Sequence, residues 1–442
     1  MYQAYITRIK NVRPHSNADR LQVGECFGNT TIVSITTEPD SLGIYFPTDG
    51  KLSTQYASAN NLLRIKDSEG NNTGGYLDPD KRHISTLKLR GEKSDGLFMP
   101  LSSLSQFTPD LSKLKEGNTI TTLNGHLICE KYIPQRNNPR NSNAQTNIKT
   151  NAKQNYKTDT ISYPYFKEHS DTSQLAYNLN QFKEGNNCII TLKVHGTSQR
   201  TSYTIKEKKT ILPYWIYKIL TKLNIKLPTK QSYDYICGTR RVILKNYESG
   251  YYGNDSFRKT HHNKFINKLH KGETAYYEVA GYTNTNQTIM PICNNSKTKD
   301  KEFIKQYGKE TKFTYGCNEG ESEIYVYRMT MTNSDGYVIE YPWHLVKTRC
   351  EQMGIKYTPE LDSFIFTTTN DLMDRVNVHS DGTDPIGKTH IREGCVVRIE
   401  NKEKFTAYKH KNFNFKVLES IIKIDDVLDM EEEQLQDEEE TK

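Results

Sequence analysis

The stretch CIITLKVHGTSQR, Cys188 to Arg200, decides how the rest of the chain is read. Ile189, Ile190 and Leu192 form an apolar, strand-like run, and Lys193 follows where such a strand would leave the core. A lysine costs free energy to bury unless it is paired or neutral. Either Lys193 points to solvent, or its amine is meant to react. An ordinary lysine, with a pKa near 10.4, holds roughly 0.04% neutral amine at pH 7, so bringing that pKa to neutrality would supply up to about 4.6 kcal/mol of activation. Nearby cations, a divalent metal or burial could do so.

Other predicted strand ends offer such groups. Glu278 lies in YYEVAG, Glu393 in REGCVVR, and Lys409 and Lys411 in YKHK, where strand alternation puts both lysines on one face. One lysine nucleophile, two carboxylates and two further lysines suit attack on the α-phosphate of a nucleotide. The carboxylates can hold Mg²⁺ or Mn²⁺, directly or through water, and the lysines offset charge building on the phosphates.

The 442 residues suffice for two or three domains, yet only 34% are hydrophobic, so part of the length is expected to be linker or tail. No run of eighteen apolar residues suggests a membrane span, and the start MYQAYITRIKNV lacks the hydrophobic region of a signal peptide. Eight cysteines without CxxC pairs point away from zinc sites and disulfide frameworks, and a reducing, cytoplasmic setting is expected. The net charge of +7 hides an asymmetry. Residues 425–442 hold ten acids and one lysine, and the remaining 59 basic and 43 acidic residues carry +16. A body of that charge suits a polyanion such as nucleic acid, and the acidic tail is expected to be disordered.

Residues 1–130 read as β-rich, with short alternating runs such as YQAYITRIKNV, TTIVSITT and LGIYFP that suit a small closed barrel. Residues 131–161, rich in Asn, Gln, Thr and Lys, read as a flexible linker. Residues 162–424 alternate repeatedly, at CIITLKV, YDYICGTRRVIL, TAYYEVAGYT, EIYVYRMTMT, GYVIEYP, GCVVRIEN and FTAYKHKNFNFKVLE. These predict strands of an antiparallel α+β domain. Helices are expected at Pro213–Ile225 and at Trp343–Gly354, the latter ending on its glycine. His261, His262 and His270 lack partner acids at ligand spacing and read as surface histidines. Tyr251, Tyr252, Phe257 and Arg258 offer a faint signal for stacking RNA bases.

The order of the motifs resembles the covalent nucleotidyltransferase superfamily and, within it, the ATP-dependent RNA ligases. KVHGTS (Lys193–Ser198) is similar to the nucleophile motif in its His variant, YYEVAGYT to the next motif, IYVYRMT to the strand whose aromatic stacks on adenine, REGCVVR to the metal-binding motif, and YKHKNFNFKVLE to the paired phosphate lysines. HSNADRLQVGEC resembles the oligonucleotide-binding (OB-like) barrel of tRNA-binding modules, and the whole segment, with ISTLKLRGEKSDGLFMPLSSL as its other distinctive piece, more closely resembles the barrel that precedes the catalytic domain in one class of RNA ligase. The implied fold is α+β, an N-terminal OB-like β-barrel followed by an antiparallel nucleotidyltransferase domain of the ligase type.

The resemblance implies that Lys193 accepts AMP from ATP and that Lys409 and Lys411 act on the phosphates. Leu192, His195, Gly196, Thr197, Ser198, Arg200, Arg240, Glu278, Tyr327 and Glu393 line the nucleotide. Glu278 and Glu393 hold Mg²⁺ or Mn²⁺, and Arg90 and Lys93 are weak candidates for RNA contact. His195 departs from the commoner Asp, so it is no carboxylate ligand; it orients Lys193, hydrogen-bonds the nucleotide, or is structural. Arg200 stands two residues further from the lysine than in the KxDGxR pattern, with Arg240 and Arg241 as alternatives.

The implied activity joins a 3′-OH to a 5′-phosphate end of RNA, a cleaved tRNA being one such substrate, in RNA repair by a cytoplasmic monomer. A GTP-using capping guanylyltransferase or DNA ligase shares the lysine chemistry but is expected to carry a barrel after the paired lysines, where only 31 residues follow Lys411. A non-catalytic RNA- or tRNA-binding protein is the alternative of another class. Removing residues 1–130 is expected to impair sealing more than self-adenylylation.

Overall fold

The computed structural model describes residues 2–66, 68–70, 73–134, 161–169, 171–209, 229–248 and 250–424. The linker expected over 131–161 falls mostly outside these residues. The tail over 425–442 and the helix expected at Pro213–Ile225 fall wholly outside them.

Residues 161–424 build two large sheets and a small two-stranded one, Cys293–Asn294 with Glu310–Thr311. Numbering the strands of the two large sheets in chain order, β1 is Ile161–Ser162, β2 Ser173–Gln174, β3 Asn187–Leu192, β4 Thr197–Lys209, β5 Thr229–Gly238 and β6 Glu273–Gly281. They continue with β7 Ser322–Thr332, β8 Val338–Glu340, β9 Glu360–Ile365, β10 Gly394–Ile399 and β11 Ala407–Lys411. One sheet runs β1-β4-β6-β7-β8, with β5 also on β4. The other runs β2-β11-β10-β3-β9. Every neighbour is antiparallel except β2 and β11.

Burial explains the hydrophobic runs. From Cys188 to Leu192, β3 is buried throughout, with Cys188 and Ile190 in one core cluster and Ile189 and Leu192 in another. A strand covered on both faces needs such a continuous apolar run. The chain leaves β3 in one sheet and enters β4 in the other, and the crossover is Lys193–Gly196. The stretch around Lys193 is therefore the joint between the sheets.

Helix α1, Trp343–Met353, forms where its spacing predicts, and Gly354 closes it at a left-handed φ of 65°. One expected strand is corrected. FTAYKHKNFNFKVLE is a strand only through Lys411, and helix α2 then runs Phe413–Ile424. The Asn412 side chain accepts from the amides of Asn414 and Phe415 at 2.8 and 3.2 Å, an N-terminal cap, and Phe415 and Leu418 turn into the core. The strand expected from YDYICGTRRVIL likewise stops at Gly238.

The N-terminal segment is β-rich, as its patterning predicts, but its strand pairing does not close into a barrel among the described residues. A four-stranded sheet takes Leu97–Pro100, Leu42–Phe46, Ala4–Arg8 and Thr119–Ile120, and a separate three-stranded sheet takes Lys10–Pro14, Leu21–Cys26 and Asn29–Ser34. The division falls where Asn11 adopts a φ of 50° and the register shifts between Lys10 and Arg13. Ile6, Ile44, Phe46, Leu52 and Tyr56 fill its core. No helix among the described residues is long and apolar enough to cross a membrane.

Candidate active site

The site opens where buried strands admit partly exposed residues. Glu278 is the half-buried position in an otherwise buried β6, and Val396 is that of β10. Tyr327 interrupts the buried centre of β7, and Lys193 breaks the run after β3. These positions come together because β6 pairs Glu278 with Ser198 of β4 on one side and with Tyr325 of β7 on the other. In the other sheet, β10 sets Val396 opposite Lys409 and Gly394 opposite Lys411.

Lys193 sits at the centre. Its backbone amide donates to the Gly394 carbonyl at 3.0 Å, which anchors the crossover on β10. Its Nζ lies 2.7 Å from Oε1 of Glu393, whose side chain is 2% exposed. Burial opposes ionisation of Glu393, but Lys193, His195 and Lys411 outweigh it and hold the carboxyl below its ordinary range. The other oxygen, Oε2, is buried without a hydrogen-bond partner, 3.8 Å from Nδ1 of His195. A buried, unshared carboxylate oxygen is a fitting ligand for a cation. Burial, then the Glu393 carboxylate and, more weakly, that of Glu278, hold the Tyr315 hydroxyl well above its ordinary range.

His195 is held edge-on by Phe313 and Phe415, with ring centroids 4.6 and 4.9 Å away, and its backbone amide donates to the Tyr315 hydroxyl at 2.6 Å. Burial pushes its pKa down to about 4, so the ring is neutral at pH 7. Gly196 is required by close approach: a Cβ there would stand 2.5 Å from the Val279 carbonyl oxygen.

The two lysines of β11 share a face but not a state. Lys411 is bound by both oxygens of Glu419 at 2.7 and 2.8 Å, with Glu393 at 3.7 Å. Burial disfavours its charge, but Glu419 and Glu393 raise its pKa above the ordinary value. Burial, then Lys411 and Lys193, push Lys409 down to about 8.

The remaining expected residues divide. Thr197 and Ser198 are buried in β4; Thr197 Oγ1 accepts from Arg258 at 2.7 Å, and the Ser198 hydroxyl lies 3.3 Å from that of Tyr327. Leu192 is core. Arg200 is 2% exposed, stacks on Phe166 and donates to the Arg240 carbonyl at 2.5 Å, so it presents almost no surface. Arg240 pairs with Asp171. Arg90 is exposed on the N-terminal segment, and Lys93 lies over the Phe413 ring at the start of α2.

Tyr252, Phe257 and Arg258 are buried, which corrects the faint RNA-stacking signal: they belong to the core beneath β4. His261 is also buried, with Nε2 2.8 Å from the Ser322 hydroxyl, rather than on the surface.

Sequence reading missed the groups that frame Tyr327. Arg398 of β10 reaches across to the other sheet and donates to the carbonyls of Tyr327 and Tyr341 at 2.9 and 3.3 Å. His169 meets the Tyr327 ring edge-on at 5.1 Å, and its Nδ1 is 3.0 Å from Arg328, itself paired with Glu340. Only a charged residue inside the apolar run GCVVRIEN could have signalled Arg398. His169 lies in a polar segment with no pattern to read.

No protein-family model matches the chain, and no curated protein matches it. Solved structures do. The chain's fold, mixed α and β and mostly antiparallel, is similar to that of solved RNA ligase structures over nearly its full length. One neighbour is a Naegleria gruberi RNA ligase, a lysine-to-alanine mutant with ATP and Mn, at TM-score 0.55 and 14% identity, covering 93% of this chain and 98% of that one. The same ligase with PPi matches at TM-score 0.53 and 15% identity, covering 93% and 97%. A lysine-to-methionine mutant with AMP and Mn matches at 0.54 and 15%, with the same coverage. At this identity the likeness is one of fold.

Proposed function

We propose that the chain is an ATP-dependent RNA ligase that joins a 3′-OH to a 5′-phosphate end through a lysyl-AMP intermediate. The observation that carries the proposal is Lys193 at the joint of the two sheets, with Glu393 at 2.7 Å and the paired lysines of β11 on the adjoining strand. ATP and a divalent cation, Mg²⁺ or Mn²⁺, follow from the fold likeness to a ligase solved with ATP and Mn.

In this reading the neutral amine of Lys193 attacks the α-phosphorus. An N–P bond forms, the bond to the oxygen bridging to the β-phosphate breaks, pyrophosphate leaves with that bond's electrons, and the nitrogen gives up one proton to solvent. Lys409 and Lys411 offset the charge on the departing phosphates. Tyr327, fixed by Arg398 and His169, supplies the aromatic wall for the base, and Val396 is the open apolar position on the facing strand. Neutral His195, wedged between two rings, orients the crossover rather than carrying charge.

Glu393, through its unshared Oε2, and Glu278 would hold the cation, whose bound form supplies charge neutralisation at the phosphates. No group of three or more His, Cys, Asp or Glu gathers as a metal site among the described residues, so phosphate oxygens or water must complete the coordination. AMP then passes to the 5′-phosphate of a broken RNA, and the 3′-OH attacks that activated phosphate, releasing AMP.

Residues 162–424 form the nucleotidyltransferase domain in this reading. Residues 1–130 act as an OB-like module contacting RNA, with 131–161 as linker and 425–442 as acidic tail. Repair of cleaved RNA in the cytoplasm, by a monomer, is the setting proposed.

The test is a chase. Protein labelled from α-labelled ATP, freed of nucleotide, is mixed with nicked RNA bearing a 5′-phosphate. Label moving to the RNA end, followed by strand joining, is expected. Label accepted from GTP and never passed to RNA would overturn the ligase reading.

A further inference from the structure

The crossover Lys193–Gly196 is tied to distant parts of the chain through two of its amides. The Lys193 amide donates to the Gly394 carbonyl at 3.0 Å, and the His195 amide donates to the Tyr315 hydroxyl at 2.6 Å. Among the described residues the His195 amide has no other partner. The two ties bracket the backbone of Lys193 and Val194. Because peptide units are planar, fixing both ends of so short a stretch fixes the direction in which its side chains leave the chain. Val194 is buried in the core, so the side chain whose aim the ties control is that of Lys193.

Tyr315 belongs to a turn that grips His195 twice. Phe313 meets its ring edge-on, and Tyr315 holds its backbone. Tyr315 is 4% exposed and takes a left-handed φ of 52°. That conformation is costly for an aromatic residue and persists only where its surroundings impose it.

The surroundings here are the segment that leads into Glu393. His390 packs edge-on against Phe313 and Tyr315, with ring centroids 5.2 and 4.5 Å away. Gly387 lies so close that a Cβ on it would stand 2.3 Å from the Tyr315 carbonyl carbon. The turn is thus clamped between the crossover that carries Lys193 and the approach to β10.

We propose that Tyr315 is a positioning residue for Lys193, its hydroxyl holding the His195 amide so that the amine is aimed at the α-phosphorus. This rests on the ligase reading. Attack on phosphorus needs the amine in line with the departing oxygen, and an error of about 1 Å can cost on the order of a hundredfold in rate. The hydroxyl acts on the nucleophile's backbone, so its loss falls on the rate of the first step rather than on the affinity for ATP. Joining of an RNA end that already carries AMP uses no attack by Lys193 and is spared.

The test uses the full chain. Tyr315→Phe keeps the ring and removes the acceptor. It is expected to slow protein–AMP formation at saturating ATP about thirtyfold, with KM for ATP within about twofold of wild type. Joining of a nicked RNA already bearing AMP on its 5′-phosphate should also stay within about twofold. Tyr56→Phe, which removes a buried hydroxyl contact with Ser103 in the N-terminal core, should leave both steps near wild type. Equal slowing of both steps in Tyr315→Phe would reduce the tyrosine to a support of the fold, and an unchanged rate of protein–AMP formation would leave the tie without effect. Either result overturns the proposal.

Hydrogen exchange at the His195 amide, followed by NMR in protein labelled at histidine, is the second measurement. It should be at least about tenfold faster in Tyr315→Phe than in the wild type. Should that variant fail to fold, the wild type decides: exchange as slow as in β3 supports the tie, and free exchange overturns it. Failure of the wild type to form protein–AMP would overturn the ligase reading instead, while exchange at His195 still judges the hold of Tyr315.

Discussion

Lys409 and Lys411 are two residues apart on one strand face, yet their surroundings separate them. Lys411 has Glu419 and Glu393 to keep it charged, whereas burial and two neighbouring cations push Lys409 down to about 8. A lysine titrating there is cationic below pH 8 and neutral above it, so its attraction for phosphate fades as pH rises. KM for ATP in the adenylylation step is therefore expected to climb between about pH 7.5 and 9. Lys409→Arg should flatten the climb, because arginine stays charged. A parallel climb in both proteins would assign the effect to another group. The sequence showed that these lysines share a face; it could not show their difference, because Glu419 is brought to Lys411 by a helix read as strand.

At the scale of elements, the pocket depends on how closely β10 and β11 approach. Gly394 lies at a φ of 148°, and a Cβ built on it would stand 2.0 Å from the His410 carbonyl oxygen. Gly394→Ala must therefore part the strands that carry Glu393 and Lys411 and release the anchor of Lys193. A loss of about 2 kcal/mol or more in stability is expected, with adenylylation slowed by at least about a hundredfold. Urea unfolding and single-turnover labelling would measure both, and unchanged labelling would refute this view of the joint.

The strands at this joint were the legible part of the fold. Apolar and alternating runs marked β3, β6, β7 and β10, and Lys193 and Glu393, next to the ends of β3 and β10, meet at 2.7 Å. The short strand Glu360–Ile365 and the helix Thr369–Ser380 were not legible, because their apolar positions are few and their burial comes from packing on β3 and β10. Arg398 and His169 act across long sequence separations, which patterning along the chain does not encode.

For the molecule as a whole, the N-terminal segment is joined to the rest by buried charge as well as by aromatic packing, with Tyr177 stacked on Tyr5 at 4.6 Å. Sequence alone suggested that removing residues 1–130 would harm sealing more than self-adenylylation. The ion pairs alter that expectation. Removal leaves Lys416 and Lys423 without Asp95 and Asp49, so lysyl-AMP formation should fall along with sealing, at least about tenfold. Comparing the truncated and full chains in both assays, with folding checked by circular dichroism, tests this. Full adenylylation by the truncated chain would mean that the segment serves RNA alone.

The most direct measurement of the central claim is covalent labelling of the purified full chain. Protein is incubated with α-labelled ATP or GTP in Mg²⁺ or Mn²⁺, denatured, and compared with Lys193→Ala. Acid-labile label from ATP only, absent in the mutant, is the predicted result. Label that persists in Lys193→Ala, or no label from ATP in any metal, would contradict it.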